Sequence, residues 1–480
     1  IGVRLVGSEM CIRDRSYVDA FAPVPRSTAG RVMMSLAAAM NLEMHCVDLS
    51  QAFIQASWAD LPEKVPQVFI RPPSGWDEDP GVVYELLSPL YCHPASARCL
   101  HYTLDRFMRE SGFEKTGFEE SVWIRRAGGA FAHTIYMSAH IDDTLILCED
   151  LDTLQSFKNS FLTRFEGTDE GEVTEYLGCD IVRDRVRGTL TIKQTAYIQR
   201  ILAHHGMQNA NPVKTPMEQG LRLLKRDCPT VVDPAVQDEY RVIVGHVSFL
   251  VQMTRPDLAF AFAELSKFVQ APGVVHLRAA RRVLAYLVGT QDMGITYSCP
   301  EDPTQINKLF GWVDSDYAAD PDTRKSVTGY IVSMNNGPIA WKSKRQSCVT
   351  LSSAEAEFVA ASQCSVEVVY LRNLLRDLGL AQTTPTPIWE DNAACVMMSE
   401  NPVNADRSRH IDTRRYWLRD MVRDGILKLH KVAGTQNVAD ALTKSLPYPS
   451  FSKHREYLQG SGIPFEAFYA SISYGAAVAA

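Results

Sequence analysis

The chain has 480 residues, 46% of them apolar, and a net charge of −7. That length allows several buried cores, so two to four domains are expected, and the acidic balance means that any contact with a polyanion has to come from local basic patches. Eleven cysteines without CxxC-type spacing argue against a secreted disulfide framework, and no apolar run is long enough to span a bilayer, so a reducing, intracellular protein without a membrane partner is expected.

Leu5 to Arg15 (LVGSEMCIRDR) resembles a translated sequencing-library adapter more than protein, so about residues 1–15 are set aside as a non-native leader, and native-looking sequence starts near Ser16. From Ser27 to Asn41, Val32, Met33, Leu36, Ala37 and Met40 recur at helical spacing, and a β-like run, EMHCVDL, then ends near Asp48. A Pro-rich surface stretch, VFIRPPSGWDEDPG, leads to Leu100, Leu104, Phe107 and Met108, which mark a second helix. In TIYMSAHIDDTLILC, from Thr134 to Cys148, two β-rich runs flank Asp142 and Asp143, the pattern of a tight hairpin. Taken alone, Asp-Asp is well explained as a turn. Asp48 adds a third carboxylate, and adjacent carboxylates repel unless a cation holds them, so the three together would form an oxygen-rich cage for Mg²⁺. Leu151, Leu154, Phe157, Phe161, Leu162 and Phe165 give another helix, and EYLGCDIV and GTLTIK read as strands about an Arg-Gly turn. Strand, helix, hairpin, helix and strand in that order resemble a split βαβ sheet that sets Asp48 beside the hairpin tip.

Gln199 to Ser298 reads as mostly helical, with a polar connection around Asn211 to Asp233. Arg278, Arg281 and Arg282 fall at helical spacing with Tyr286 nearby, which fits either a solvated face or one laid against a phosphate backbone. LFGWVDSDYA is a strand with Asp314 and Asp316, and SVTGYIVSMNNGPIAWKS is a hairpin turning at Asn336-Gly337. Ser352 and Glu355 form a capping box that opens a long helix closed by Gly379, which accounts for Glu355 but not for Glu357. PIWEDN presents Asp391 at a strand end, a helix runs from Asp412 to Asp424, ILKLHKVA is a strand, and NVADALTK starts a helix bearing Asp440. Two basic runs stand out: WKSKRQ with Lys342, Lys344 and Arg345, and RSRHIDTRR with Arg407, Arg409, His410, Arg414 and Arg415.

FAPVPRSTAGRVMMSLAAAMNLEMHCVDLSQAFIQ, the IDD triplet, EYRVIVGHVSFLVQMTRPDLAFAFAELSKF and the stretches WVDSDY, SSAEAEF, WEDN and NVADALTK together resemble the reverse transcriptase and ribonuclease H region of a copia-type retrotransposon Pol polyprotein, from about Tyr17 to about Tyr448. The resemblance implies an α/β (α+β) chain: partial fingers and a right-hand palm with a split βαβ sheet over 16–205, a helical thumb and connection over 206–305, a ribonuclease H-like domain over 306–446, and a mobile tail over 447–480. It implies that Asp48, Asp142 and Asp143 are the polymerase triad, and that Asp314, Glu357, Asp391 and Asp440 are a nuclease set, each site holding two Mg²⁺ or Mn²⁺. Hard oxygen ligands suit those ions, whereas imidazole or thiolate would select softer metals. Phe53 falls where the family has an aromatic beneath the incoming sugar. Arg278, Arg281, Arg282, Lys342, Lys344, Arg345, Arg409, His410 and Arg414 are the implied nucleic-acid contacts, and RNA template, DNA primer, RNA/DNA hybrid and dNTPs the implied partners, with other Pol or Gag products possible.

Two positions depart from the family. Its Tyr-Gly-Leu-Lys-Gln motif reads Tyr91, Cys92, His93, Pro94, Ala95 here, and His140 replaces a Tyr before the paired acids; fingers upstream of Ser16 are expected to be missing. Three functions are therefore carried: polymerase plus ribonuclease H, ribonuclease H alone, or a decayed non-enzymatic nucleic-acid-binding remnant. In each case the setting expected is the cytoplasm, within a virus-like particle, or the nucleus.

Overall fold

The computed structural model describes residues 21–63, 68–72, 75, 82–400 and 412–460, without the side chains of 412–416, so the leader at 1–15 lies outside the described residues. The chain divides into two compact units, one of Leu42–Val173 with the stretch up to Gly30, the other of Arg31–Asn41 with the chain from Thr174 onward. No described helix is long and apolar enough to cross a membrane.

In the first unit, α1 (Ser27–Ala39) begins before the boundary and β1 (Glu43–Leu49) follows it; β2 (Phe69–Ile70) and β3 (Tyr84–Glu85) form a small ribbon. Then come α2 (Ser96–Glu110), β4 (Glu114–Lys115), β5 (Val122–Arg125), β6 (Ile135–His140), β7 (Asp143–Cys148), α3 (Leu151–Arg164) and β8 (Gly167–Glu172). The sheet order is β4-β5-β6-β7-β1-β8, antiparallel throughout. Leu100, Leu104 and Met108 of α2 and Leu154, Phe157 and Phe161 of α3 share one core with Val47, Met137 and Ile146 of the sheet, as helical and strand periodicities dictate. Asp150 caps α3 by accepting the Thr153 N–H at 2.8 Å.

The strand that closes this sheet is not EYLGCDIV, as expected, but GTDEGE. Its polarity hides it from a hydrophobic pattern, because it is an edge strand held by its ladder to β1 and by Asp169. Lys158, almost wholly buried, lies 2.8 Å from that carboxylate.

The second unit continues with β9 (Glu175–Tyr176), β10 (Cys179–Asp184), β11 (Thr189–Lys193) and α4 (Thr195–His204). The helical stretch holds α5 (Pro234–Met253), α6 (Ala259–Ser266) and α7 (Val274–Val288), and β12 (Gly294–Ser298) returns to pair with β11. EYLGCDIV and GTLTIK thus form a hairpin, but in a sheet ordered β12-β11-β10-β9 with the helices, so the expected boundary at 205 moves back to about Val173. Next are β13 (Phe310–Asp316), β14 (Val327–Met334), β15 (Gly337–Arg345), α8 (Ser353–Asp377), β16 (Thr386–Glu390), α9 (Ala393–Glu400), α10 (Asp412–Arg423), β17 (Leu427–Lys431) and α11 (Tyr448–Leu458). They build a mixed sheet, β15-β14-β13-β16-β17, antiparallel on one side of β13 and parallel on the other.

Three details differ from the sequence reading. The β14–β15 turn is Asn335-Asn336, both at positive φ, because Met334 already pairs with Gly337; Asn tolerates that conformation. The chain after 447 is not a loose tail up to Leu458: Phe451 and Leu458 of α11 are buried in the core that also contains Tyr286 and Trp312. Tyr286 itself cannot face a phosphate backbone, since it is fully buried and its hydroxyl donates to Asp257 Oδ2 at 2.7 Å.

That bond belongs to an internal ion pair. Arg255 donates from Nε and a terminal nitrogen to the two Asp257 oxygens at 2.9 and 2.8 Å, and to the Thr290 carbonyl at 3.0 Å, with both charged side chains wholly excluded from water. Removing one partner strands the other charge. Asp257→Ala is expected to lower the unfolding free energy by about 3–5 kcal/mol, read from the urea midpoint. A loss below about 1 kcal/mol would mean that water reaches the guanidinium.

Candidate active sites

The second unit gathers four acids from four separated elements. Asp314 lies near the C-terminal end of β13, Glu357 in the first turns of α8, Asp391 just past β16, and Asp440 in a 3₁₀ turn at Val438–Leu442. One oxygen each of Asp314, Glu357 and Asp391 falls within 4.8 Å of the others, the one such set of three ligand atoms among the described residues. Asp440 joins through its neighbours: the Thr443 hydroxyl donates to Asp314 Oδ2, and the Lys444 ammonium lies 2.9 Å from Asp440 and 3.9 Å from Asp314.

Local chemistry explains the placement. The Ser352 hydroxyl accepts the Glu355 N–H at 3.2 Å and the Glu355 carboxylate accepts the Leu351 N–H at 2.6 Å, so Glu355 is occupied by the helix start. Glu357 is left for the site, and its buried Oε2 has no hydrogen-bond partner. Asn437 caps the 3₁₀ turn at Ala439 and donates to the Val313 carbonyl at 2.8 Å, which fixes Asp440 against β13. Gly329, opposite Asp314 in the ladder, makes room for that turn: a Cβ there would sit 2.6 Å from Thr443 Cγ2 and 2.9 Å from Leu442 Cβ.

Asp314 is 2% exposed and Glu357 5%. Burial pushes the Asp314 carboxyl up to about 7 against the pull of Lys444, with Asp440 and Asp391 adding to the rise. Burial, then Glu390 and Asp314, push Glu357 up to about 11. Asp440 is raised too, chiefly by burial and against Lys444. Two buried acids that hold protons this tightly, Glu357 with an orphaned oxygen, fit a hard divalent cation, for which the convergent oxygens of Asp314, Glu357 and Asp391 would be the ligands.

Two residues of this site escaped the sequence reading. Glu390 is fully buried beside Asp391, with Oε1 accepting the Asn392 N–H at 2.9 Å and Oε2 unpartnered. Periodicity gave no sign of it, because every residue from Ile388 to Glu390 is buried. Lys444 was readable as the i+4 partner of Asp440. Asp316, two residues beyond Asp314 on the same strand face, stays outside the set of three; burial raises it while Lys444 and Arg222 lower it.

The basic candidates separate. Lys342 and Lys344 alternate onto the exposed side of the edge strand β15, whereas Arg345 lies 3.1 Å from Asp320, which Lys267 also approaches at 2.9 Å. On α7, Arg278 is exposed, but Arg281 makes two 2.7 Å bonds to Glu239 and Arg282 bonds the Thr215 hydroxyl at 3.1 Å, so the three do not form one cationic face. Arg407, Arg409 and His410 lie outside the described residues, as do the side chains of Arg414 and Arg415.

In the first unit the register does the work. Asp48 of β1 pairs with Asp143 of β7, which pairs in turn with His140 of β6, so the three sit in one row on one sheet face. Asp142 occupies the two-residue turn, its carbonyl accepting the Leu49 N–H at 3.1 Å. Ile141 beside it has φ 60°, a left-handed conformation that a β-branched residue rarely takes. The hairpin carrying the acids at its tip, with Asp48 alongside, is as expected, although these carboxylate oxygens do not form a set of three within 4.8 Å. Phe53 is half-buried in a 3₁₀ turn, its ring edge-on to Tyr91 at 4.8 Å. Ala95 is buried at the start of α2, and Cys92, standing where the family has Gly, holds φ 69°.

A family profile described as reverse transcriptase (RNA-dependent DNA polymerase) matches residues 4–219. Over nine-tenths of its length the chain is similar to the Pol polyproteins of retrotransposons. Among its relatives are the retrovirus-related Pol polyprotein from transposon TNT 1-94 of Nicotiana tabacum, 34% identical over 92% of this chain and 32% of that protein, and that from transposon RE1 of Arabidopsis thaliana, 32% identical over 93% and 29%. A putative transposon Ty5-1 protein of Saccharomyces cerevisiae is 25% identical over 67% of this chain and its own full length. This chain thus spans about a third of the length of the plant polyproteins. A foamy viral protease-reverse transcriptase in complex with double-stranded DNA aligns over 81% of the chain at 12% identity, but its TM-score of 0.19 is too low to bear on the fold.

Two outcomes follow from this geometry. A carboxyl raised in the folded state contributes stability that is complete below its unfolded-chain value, about pH 4, and is lost as pH climbs through the folded value. For Asp314 that window runs from about pH 4 to about pH 7. In EDTA the melting temperature of the wild-type chain is expected to fall relative to Asp314→Asn between about pH 4 and pH 7, and Mg²⁺ to restore it most at the upper end. Parallel profiles for the two proteins would mean that Asp314 is already ionised. Separately, Gly329→Ala is expected to cost about 1–3 kcal/mol by overpacking against the 3₁₀ turn, measured by urea unfolding; no loss would show that the turn moves aside freely.

Proposed function

We propose that this chain is part of a copia-type Pol polyprotein with two phosphoryl-transfer sites: an RNA-directed DNA polymerase site at Asp48, Asp142 and Asp143, and a ribonuclease H site at Asp314, Glu357, Asp391 and Asp440. The mutual approach of Asp314, Glu357 and Asp391 within 4.8 Å is the observation that carries the reading. An antiparallel hairpin running into a parallel pair, with α8 between them in sequence, is also the element order that a ribonuclease H-like domain requires. Divalent Mg²⁺ or Mn²⁺, two at each site, would neutralise the phosphate and activate the attacking oxygen. The chain's own share is positional. Asp314 and Glu357 present oxygens from rigid elements, Asp391 and Asp440 flank them, and Lys444 balances the acid charge when no cation is present. Lys342 and Lys344 supply phosphate contacts for an RNA/DNA hybrid.

The polymerase would use an RNA template, a DNA primer and dNTPs, with Phe53 beneath the incoming sugar. A nuclease-only reading has one observation in its favour: Ala95, in the place of the family's Gln, is buried and has no side-chain hydrogen-bonding group to offer a nucleotide. The working site would be a cytoplasmic particle or the nucleus, alongside other products of the element.

A labelled RNA/DNA hybrid with Mg²⁺ is expected to lose its RNA strand with the wild-type chain and to survive with Asp314→Asn, by at least about a hundredfold in rate, the scale at which removing one preorganised electrostatic group from a site acts. Cleavage that persists in the variant would overturn the nuclease assignment. Primer extension on RNA, with Asp142→Asn as the control, is expected to be weak or absent, and robust extension would remove the nuclease-only reading.

A further inference from the structure

Lys444 stands among the acids of the second unit in a way that a local ion pair does not require. Its ammonium is 2.9 Å from Asp440 Oδ1, four residues back in the chain, but also 3.9 Å from Asp314 Oδ2, on β13. An i,i+4 pair accounts for the first contact and leaves the second unexplained. The backbone at this point is fixed, since the Thr443 and Lys444 N–H groups both donate to the Asp440 carbonyl at 3.2 Å. The side chain is not: 40% of it is exposed, and its flexible stem is free to turn toward water.

We propose that Lys444 and a divalent cation exchange at Asp314 and Asp440: the ammonium releases both carboxylates when the site loads and returns to them when it empties. The inference rests on the reading of these acids as a metal-holding set. Both species seek the same hard oxygens, and two cations within a few ångströms of each other in a half-buried site repel strongly. Asp314 Oδ2 already accepts the Thr443 hydroxyl, which leaves that oxygen little capacity for both. Lys444 also serves only two of the acids, since the buried Oε2 atoms of Glu357 and Glu390 have no hydrogen-bond partner. A single charge on a tether is therefore a partial and replaceable counter-ion.

Exchange has two consequences of opposite sign. Lys444 steadies the acids while no cation is bound, and for the same reason it weakens cation affinity, because its contacts with Asp314 and Asp440 have to be broken first. A lysine with a purely structural role would steady the chain equally with and without a cation. It would also keep its ammonium covered in both conditions.

Isotopic reductive dimethylation of the whole wild-type chain, read by peptide mass spectrometry, follows the ammonium directly; the cation used is Mn²⁺, which suits the same carboxylates. Lys444 is expected to label at least about tenfold faster with Mn²⁺ than in EDTA, the factor that goes with losing a charge-assisted bond, while the exposed Lys344 keeps one rate in both. In Asp314→Asn the Mn²⁺ dependence at Lys444 should disappear. Lys444→Met is expected to bind Mn²⁺ about tenfold more tightly, followed by the electron paramagnetic resonance of the free ion. It should also melt below the wild type in EDTA, with the difference shrinking or reversing in saturating Mn²⁺; circular dichroism checks its fold. An unchanged labelling rate in the wild type, unchanged Mn²⁺ affinity in Lys444→Met, or an equal melting loss with and without Mn²⁺ would each overturn the exchange. Hybrid cleavage separates it from the nuclease assignment: a chain that shows the exchange and leaves an RNA/DNA hybrid intact sinks that assignment alone, and one that cleaves the hybrid with Lys444 still protected sinks the exchange alone.

Discussion

Like charges held close together in low dielectric are what this fold has to contend with in the second unit. Asp314, Glu357 and Glu390 are buried together, with Asp391 and Asp440 half-buried beside them, and like charges there would lower their energy by moving apart. They stay because their backbones are committed elsewhere. Asp314 is locked into the middle strand of the sheet, Glu357 into a 25-residue helix, and Asp440 into a turn fastened by the Asn437 bond to Val313. Asp314, Glu357, Glu390 and Asp440 answer by retaining protons, and Lys444 and the Thr443 hydroxyl satisfy part of what remains. A divalent cation would relieve the rest, because it could replace several protons and one ammonium at once.

The Arg255–Asp257 pair shows the opposite solution to the same problem. There the charges are matched one to one, every guanidinium bond shown ends on an oxygen, and Tyr286 and Thr290 complete the shell. Such a pair holds register and offers no opening to a ligand. The acid cluster has surplus negative charge and unpartnered oxygens, and in that it differs from the matched pair.

What could be read in the sequence follows from how local the cause is. The Asp142-Asp143 hairpin, the Ser352 cap and the Gly379 stop depend on neighbours within a few residues, and all are present. The four acids were legible as a set only through resemblance, since no periodicity links positions up to 126 residues apart. β8 was missed because an edge strand needs no apolar face, and Tyr286 was misplaced because its spacing on α7 is that of the arginines while its neighbours bury it. α11 was taken for a tail although Phe451 and Leu458 lie seven residues apart, a helical repeat too short to stand out beside the small residues that follow. Glu390 shows the limit most clearly, since a buried acid inside an apolar strand end looks in sequence like a solvated neighbour of Asp391.

The two acid sets also differ in how they are held. In the first unit, Asp48 and Asp143 are brought opposite one another by six consecutive ladder pairs between β1 and β7, and a one-residue slip would turn both to the other face. Gly167 allows β8 to lie against the Asp48 carbonyl on the other side of β1. Ile141, at φ 60°, carries the strain of a tight turn that puts Asp142 next to that row, and conformations of this kind persist only where the surrounding pairs over-determine them. The hairpin supplies such pairs on both sides of the turn, from Ile135–Cys148 inward to His140–Asp143. Precision there comes from continuous hydrogen bonding over a short span. In the second unit it comes from packing between elements distant in sequence, so a single Cβ at Gly329 is enough to disturb it.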